Sequence, residues 1–425
     1  MTRTTWPPSA TDLPRQFSRI LLIWALLCTL AACGGGTPTD TQSANNGGGG
    51  VGEGGTGAPA TAASIGVVTG KDDTSITVNN ITFDRQAATI EDAQATPLTD
   101  ADLKPGMWVA VDGYSDDSGA NPLASHIRVY PAVRGEVSGV DHDKATLTVL
   151  GSTVALSADT LVEGRQGHPL AEGDTVEVHG PLGGQAGTVL ASRVDKLSTP
   201  PTMAWPYQLR GKVSQLDTTL STMKVGAQRV SYLGASVTLT STLANGMVVR
   251  VAATKMPDKG QIWAIERLST DHALPLNLSF LYVEGVVDQW QAGPSFWIED
   301  LFTNATTANG RQLVTADGQR IAAIGGLRSG VLVAKSVALS TPGESPEFKL
   351  SGSISSYQSL ADFKLNSVTI DASQATFTAG DASQLGKDAK VSLSGPVQGR
   401  KLVASKIKVI TAAPAAAAAS SASAP

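Results

Sequence analysis

LKPGMWVAVDG (residues 103–113) returns as LAEGDTVEVHG at 170–180, as LANGMVVRVAA at 243–253 and as LGKDAKVSLSG at 385–395. The residues six and eight places after each leading Leu are Val109 and Val111, Val176 and Val178, Val249 and Val251, and Val391 and Leu393. Residues two apart on an extended chain project from one face, so each copy predicts a strand with that face turned to a core. The opposite face drifts from Trp108 and Ala110 to Thr175 and Glu177, then to Val248 and Arg250. A face that repeats beside one that changes marks a structural unit copied along the chain.

Working outward, five units open on an apolar residue, a Gly and a β-branched residue: SIGVV (Gly66), VRGEV (Gly135), LRGKV (Gly211), VEGVV (Gly285) and LSGSI (Gly352). Their spacings are 69, 76, 74 and 67 residues. Alternating segments follow (SITVNNITF, TLTVLGSTVAL, TMKVGAQRV, FWIEDLF, FKLNSVTI), and their period of two reads as strand-turn-strand. The units close on LASHIRV, LASRVDKL, WAIERL, VAKSVAL and VASKIKV. Unit three has Ala253 where others end on Gly, unit five has Asp388 where Gly106 and Gly173 stand, and unit four stretches the segment to VTADGQRIAAIGG. PLTDADL and DASQL predict a short helical turn ahead of the segment, with Thr99 as N-cap and Pro97 excluding a longer upstream helix.

The 425 residues include 44 Gly, with only 16% charged and 5% aromatic residues. That composition favours strands and tight turns, and the length exceeds one ordinary domain. The formal net charge of −5 disfavours nucleic acid as a partner and argues against electrostatic docking to anionic lipid.

Three arginines (Arg3, Arg15, Arg19) precede an apolar run from Ile20 to Ala32, which is too short to span a bilayer and fits a signal-peptide core. Leu30-Ala31-Ala32-Cys33 resembles the lipobox of bacterial lipoproteins. The resemblance implies acylation of Cys33 and cleavage before it, hence export and membrane attachment through that lipid. Gly34 rather than Asp after the cysteine implies the outer membrane of a Gram-negative cell. Cys28 leaves with the leader, so no thiol remains for a disulfide partner.

About five strand-like runs per unit suggest a small OB-like barrel. The V-x-G-x-V opening, the hairpin, the L-x-x-G-x-x-V-x-V-x-G segment and the L-x-A-x-x-I-x-V close resemble an uncharacterised family of OB-like domains, repeated in tandem in bacterial envelope lipoproteins. The resemblance covers nearly all of residues 64–410 and carries no catalytic residues over. The expected fold is all-β: a tandem array of about five small OB-like five-stranded barrels with a disordered N-terminal tether and C-terminal tail. The expected bounds are a signal peptide at 1–32, a Gly-rich tether at 33–63, repeats at 64–130, 131–199, 207–270, 278–340 and 347–410, and an Ala/Ser/Pro tail at 411–425.

No residue pattern predicts catalysis, a metal site or a cofactor. The formal G-x-G-x-x-G at 50–55 has no strand before it or helix after it. His126, His142, His168, His179 and His272 lack ligand spacing and read as surface residues. Asp116–Asn121 reads as a turn rather than a calcium loop, and Ser221-Thr222-Met223-Lys224 as an S-x-x-K coincidence on a strand. Adjacent acids such as Asp72-Asp73 and Glu299-Asp300 would point to opposite faces of a strand.

Aromatic residues crowd units three and four, and Trp263, Trp290 and Trp297 are candidates for stacking on a sugar ring. Placing Phe296 inward puts Trp297 on the outer surface. The sequence therefore suggests a non-enzymatic, lipid-anchored envelope scaffold whose partner is an envelope protein or glycan. The alternatives are a glycan- or peptidoglycan-binding lipoprotein using that cluster, and an envelope polysaccharide hydrolase with two converging carboxylates.

Overall fold

A computed structural model describes residues 60–115, 121–164, 168–198, 203–258, 260–270 and 274–414. The expected signal peptide, Cys33, most of the expected tether and most of the expected tail lie outside the described residues. Module 1 contains β1 (Ala60–Lys71), β2 (Ser75–Val78), β3 (Ile81–Asp84), β4 (Thr89–Asp92), β5 (Trp108–Ser115) and β6 (Leu123–Val129). Module 2 contains β7 (Val133–Asp141), β8 (Thr146–Val149), β9 (Ser152–Ala155), β10 (Leu161–Glu163), β11 (Thr175–His179), β12 (Thr188–Leu190) and β13 (Arg193–Lys196). Module 3 contains β14 (Tyr207–Asp217), β15 (Thr222–Val225), β16 (Gln228–Ser231), β17 (Ser236–Thr238), β18 (Val248–Ala253), β19 (Trp263–Ala264) and β20 (Arg267–Thr270). Module 4 contains β21 (Leu278–Asp288), β22 (Ser295–Ile298), β23 (Leu301–Asn304), β24 (Arg320–Arg328) and β25 (Val331–Leu339). Module 5 contains β26 (Phe348–Ser359), β27 (Asp362–Leu365), β28 (Val368–Asp371), β29 (Thr376–Ala379), β30 (Lys390–Gly395), β31 (Val397–Gln398), β32 (Lys401–Val403) and β33 (Lys406–Thr411).

The alternation read from sequence is realised in each hairpin. Ile76 and Val78, Leu147 and Val149, Met223 and Val225, Phe296 and Ile298, and Phe363 and Leu365 are all buried. The repeated positions Val109, Val111, Val176, Val178, Val249, Val251, Val391 and Leu393 are buried as well. Single 3-10 turns form at Asp100–Asp102 and Ala382–Gln384. Thr99 caps the first, its N–H and hydroxyl both donating to Asp102 Oδ2 at 2.8 and 2.6 Å.

The final Gly of the segment proves to be a matter of close approach rather than of a turn. A Cβ on Gly113, Gly180 or Gly395 would lie 1.9, 2.0 or 1.9 Å from the carbonyl oxygen of Leu123, Leu190 or Val403 in the closing strand. The earlier Gly is different: Gly106, Gly173 and Gly246 have φ of +86°, +88° and +90°. Asp388 holds the same left-handed conformation at +70°, which a short polar side chain tolerates.

The strands form sheets of 11, 14 and 8 strands, none clearly a closed barrel. In module 1 the seam between β3 and β6 is a single pair, Asp84 opposite Leu123. In modules 2, 3 and 5 the closing strand is broken in two. The modules also share sheets instead of forming separate beads. β1 of module 1 runs parallel to β21 of module 4, from Ala62 opposite Phe280 to Ile65 opposite Val283. β7 pairs with β14, joining modules 2 and 3 into one sheet and one hydrophobic core.

The tether boundary at residue 63 is corrected, since β1 begins at Ala60 and Ala62 and Ala63 are wholly buried. Composition cannot separate a linker alanine from one whose small side chain lets β1 fit between β5 and β21.

Candidate functional site

In modules 1 to 3 the drifting face of the repeated strand, the natural place to seek a ligand, is occupied by neighbouring modules. Trp108 and Ala110 are buried in one cluster with Val287, Phe296 and Ile298 of module 4. In module 2, Arg134 Nε donates to Glu177 Oε2 at 2.5 Å and Nη1 to the Trp205 carbonyl at 2.8 Å. His179 Nε2 meets Glu177 Oε1 at 2.9 Å, while its Nδ1 accepts from the Trp108 backbone N–H at 3.4 Å. Burial would raise the Glu177 pKa, but the Arg134 charge and the His179 hydrogen bond hold it well below the usual range.

The surface reading of His179 is therefore corrected, because module 1 covers its face and it is 0% exposed. His126 is half-exposed beside Asp112, His142 and His168 are exposed, and His272 lies outside the described residues.

Two further arginines join modules in the same manner. Arg193 binds Asp195 through Nε and Nη2 at 2.6 Å each, and its Nη1 donates to the Pro105 carbonyl of module 1 at 2.8 Å. Arg250 donates to the Pro131 carbonyl and lies over the Tyr130 ring, 5.3 Å from its centroid.

The fourth junction encloses a cavity of about 230 Å³ between modules 2, 3 and 4. Its charged lining is Arg210, Lys212, Asp288, Glu299 and Asp317, and the backbone of residues 183–187 forms one wall. Glu299 Oε2 accepts from Arg210 Nη1 at 2.8 Å and from the Leu182 N–H at 3.1 Å, while Oε1 accepts from the Val286 N–H at 3.0 Å. One carboxylate thus ties three modules together. Burial pushes its pKa up, and Arg210 offsets part of that shift. Lys212 pairs with Asp288 beside it.

Glu299 and Asp300 are the two turn residues of the β22–β23 hairpin, not strand residues as the sequence suggested. The first turn residue has positive φ in every module: Asn79 (50°), Leu150 (44°), Gly226 (58°), Glu299 (59°) and Asn366 (53°). Each packs onto the Gly that opens its unit, where an added Cβ would approach within 2.2 to 2.9 Å. A signal for Glu299 was present in the alignment of hairpins, since a bulky acid stands where Asn or Gly is the natural choice for a left-handed turn.

Of the three stacking candidates, Trp263 is corrected to a core residue. It is 1% exposed inside modules 2 and 3, with Nε1–H donating to the Lys255 carbonyl at 2.8 Å. Trp290 is half-buried against module 4, its backbone N–H donating to Asp317 Oδ1 at 2.7 Å. Trp297 is half-exposed and tilts against Phe302, with ring centroids 5.3 Å apart and planes at 56°. The register Asp288–Trp297–Phe302 sets an acid that lines the cavity directly beside this aromatic shelf.

Ser221 lies in a turn with φ of 52° and Lys224 on β15, so the two do not share a helical face. Asp72 accepts from Ser75 and Thr74, which lowers its pKa to about 2, as expected of a turn residue. Residues 116–120 lie outside the described residues. Among the described residues, no group of three or more His, Cys, Asp or Glu side chains could hold a metal ion.

Residues 65–128 and 134–195 each match the family model of a domain of unknown function, DUF5666. These two copies coincide with modules 1 and 2. No curated protein and no solved structure matches the chain.

Proposed function

We propose that the protein is a non-enzymatic, lipid-anchored component of the cell envelope, in which OB-like barrel modules fuse into a single scaffold. The observation that carries this reading is the arginine-bearing apolar leader ending in Leu30-Ala31-Ala32-Cys33. Gly34 favours the outer membrane. The strand order, in which a long first strand pairs with both its hairpin and the repeated strand, supports the OB-like description.

A scaffold also suits the charged side chains. Arg134 with Glu177, Arg210 with Glu299, Lys212 with Asp288 and Arg320 with Glu284 bind carboxylates to cations at or near module junctions. A glycosidase would instead need two carboxyls facing one bond.

Cys33→Ala should release the protein from membranes into the soluble exported fraction, with loss of labelled fatty acid. Continued membrane attachment of the variant would sink the anchor. Crosslinking in cells followed by mass spectrometry should recover an envelope protein, and recovery of lipid and self alone would count against a scaffold.

A second reading, glycan binding, is favoured by the half-exposed Trp297–Phe302 pair beside Asp288 and Asn304. Aromatic faces cover the apolar faces of sugar rings while acids and amides accept hydroxyl protons. Titration with peptidoglycan fragments or lipopolysaccharide should then shift tryptophan emission, and Trp297→Ala should abolish the shift. Unchanged emission with both ligands would remove this reading.

A further inference from the structure

The overall negative charge conceals a segregation between modules. Residues 64–130 carry four Lys and Arg against ten Asp and Glu, whereas residues 347–410 carry eight against five. Four of the eight basic residues of module 5 lie on one sheet face, built from β29, β33, β30 and β26 in that order.

Phe348, Leu350, Val391, Leu393 and Ile407 point to the core. The alternate positions are Thr376 and Thr378 on β29, Lys406 and Lys408 on β33, Lys390, Ser392 and Ser394 on β30, and Lys349, Ser351 and Ser353 on β26. The register sets Ser394 between Lys349 and Lys406, and Ser392 between Ser351 and Lys408. No outward position on these four strands is acidic. Glu347, just before β26, accepts from Ser394 Oγ at 2.7 Å, and Asp388 sits in the turn before β30.

Several arginines of the other modules are held by carboxylates. Arg128 is held by Glu91 and Asp112, Arg193 by Asp195 and Glu163, Arg210 by Glu299, and Arg320 by Glu284. Lys349, Lys390, Lys406 and Lys408 are exposed, and none has an ion pair among the described residues. Module 4 meets this sheet at β26, where Ser336 Oγ donates to the Lys349 carbonyl at 2.8 Å and Ser351 Oγ to Asn309 Oδ1 at 2.9 Å.

We infer that the β30–β33 face of module 5 docks on the surface of an anionic phospholipid leaflet. The face is a flat array of point charges, with Lys406 and Lys408 about 7 Å apart as alternate strand residues. Lysine lacks the planar fork of arginine that selects a single phosphate or carboxylate, so it suits a diffuse sheet of charge. The outward positions hold no aromatic ring on which a base could stack, which disfavours single-stranded nucleic acid. Ile410, 56% exposed at the end of β33, supplies an apolar side chain for the interfacial zone. Screening over about 8 Å at physiological salt keeps acids on distant surfaces from cancelling the attraction.

This contact does not depend on the Cys33 anchor, and the test separates the two. All described strands lie in the compact unit Thr56–Pro425, so a chain starting at Gly34 keeps the folded unit and lacks the acylated cysteine. It should sediment with vesicles containing phosphatidylglycerol, remain free of pure phosphatidylcholine vesicles, and be released as salt is raised. Each lysine near a charged leaflet contributes about 1 kcal/mol, roughly fivefold in affinity, so Lys390→Gln/Lys406→Gln/Lys408→Gln should bind about 100-fold more weakly. Lys144→Gln, whose lysine is exposed but paired with Asp141, should bind as the parent does. Absence of binding to the anionic vesicles, equal binding by the triple variant, or retention by dextran sulfate without vesicle binding would each overturn the inference.

Discussion

Glu299→Ala should lower the free energy of unfolding by about 3–5 kcal/mol, the usual cost of breaking one side of a buried ion pair. The substitution leaves Arg210, with a side chain 0% exposed, beside no counter-charge from Glu299, and it strips an acceptor from the Leu182 and Val286 N–H groups. Glu299→Gln keeps one carbonyl acceptor and should cost less. Urea unfolding followed by tryptophan emission would read both, and an Ala variant with an unchanged midpoint would remove Glu299 as the joint of modules 2, 3 and 4.

The pH dependence carries its own sign. Burial raises the folded-state pKa of Glu299, so the native protein holds that proton more tightly than the unfolded chain. The resulting stabilisation is fully present below the unfolded value, about 4.3, and fades as pH rises through the raised folded value. Glu177 runs the other way, because its depressed pKa contributes stability above about 4.3 that is lost as pH falls through the folded value. Glu299→Gln should therefore remove the first slope and leave the second.

Gly113→Ala should be nearly as damaging, by about 3 kcal/mol, at the upper end of overpacking costs. The new methyl would sit 1.9 Å from the Leu123 carbonyl oxygen, which belongs to backbone and cannot swing aside. Gly173→Ala is the matched control: its φ is +88° and nothing lies within 4 Å, so only the left-handed strain of about 1–2 kcal/mol applies. Module 3 carries a buried Ala253 at the equivalent place, so a methyl is admissible where the surrounding backbone is already set for it. Equal midpoint shifts for the two variants would refute the close-approach account.

Strand alternation was the legible part of the fold. It depends on side chains two apart, and Val109, Val111, Phe296 and Ile298 go where the period sends them. The capping of the short turn by Thr99 was legible for the same reason, since the cap and its partner are three residues apart. What the sequence hid was contact over long separation. Nothing local distinguishes a solvent-facing Trp108 from one sealed by module 4, or a surface His179 from one bonded to Glu177 and Trp108. Trp263 misled in the same direction, since an aromatic-rich stretch looks alike whether it lines a binding shelf or fills a core. An adjacent acid pair looks the same on a strand as in a hairpin turn, and only the turn lets Glu299 reach Arg210.

The parallel pairing of β1 with β21 has a mechanical consequence. Under the lipid anchor proposed above, tension would enter the folded unit at Ala60, the first residue of β1. β1 is an interior strand, paired along eight residues with β5 and along four with β21. Tension along its axis loads those hydrogen bonds in shear, all together, where an edge hairpin would peel open one bond at a time. A force applied at that end would thus meet the strand of module 1 most firmly clamped, and modules 1 and 4 should resist it as one body.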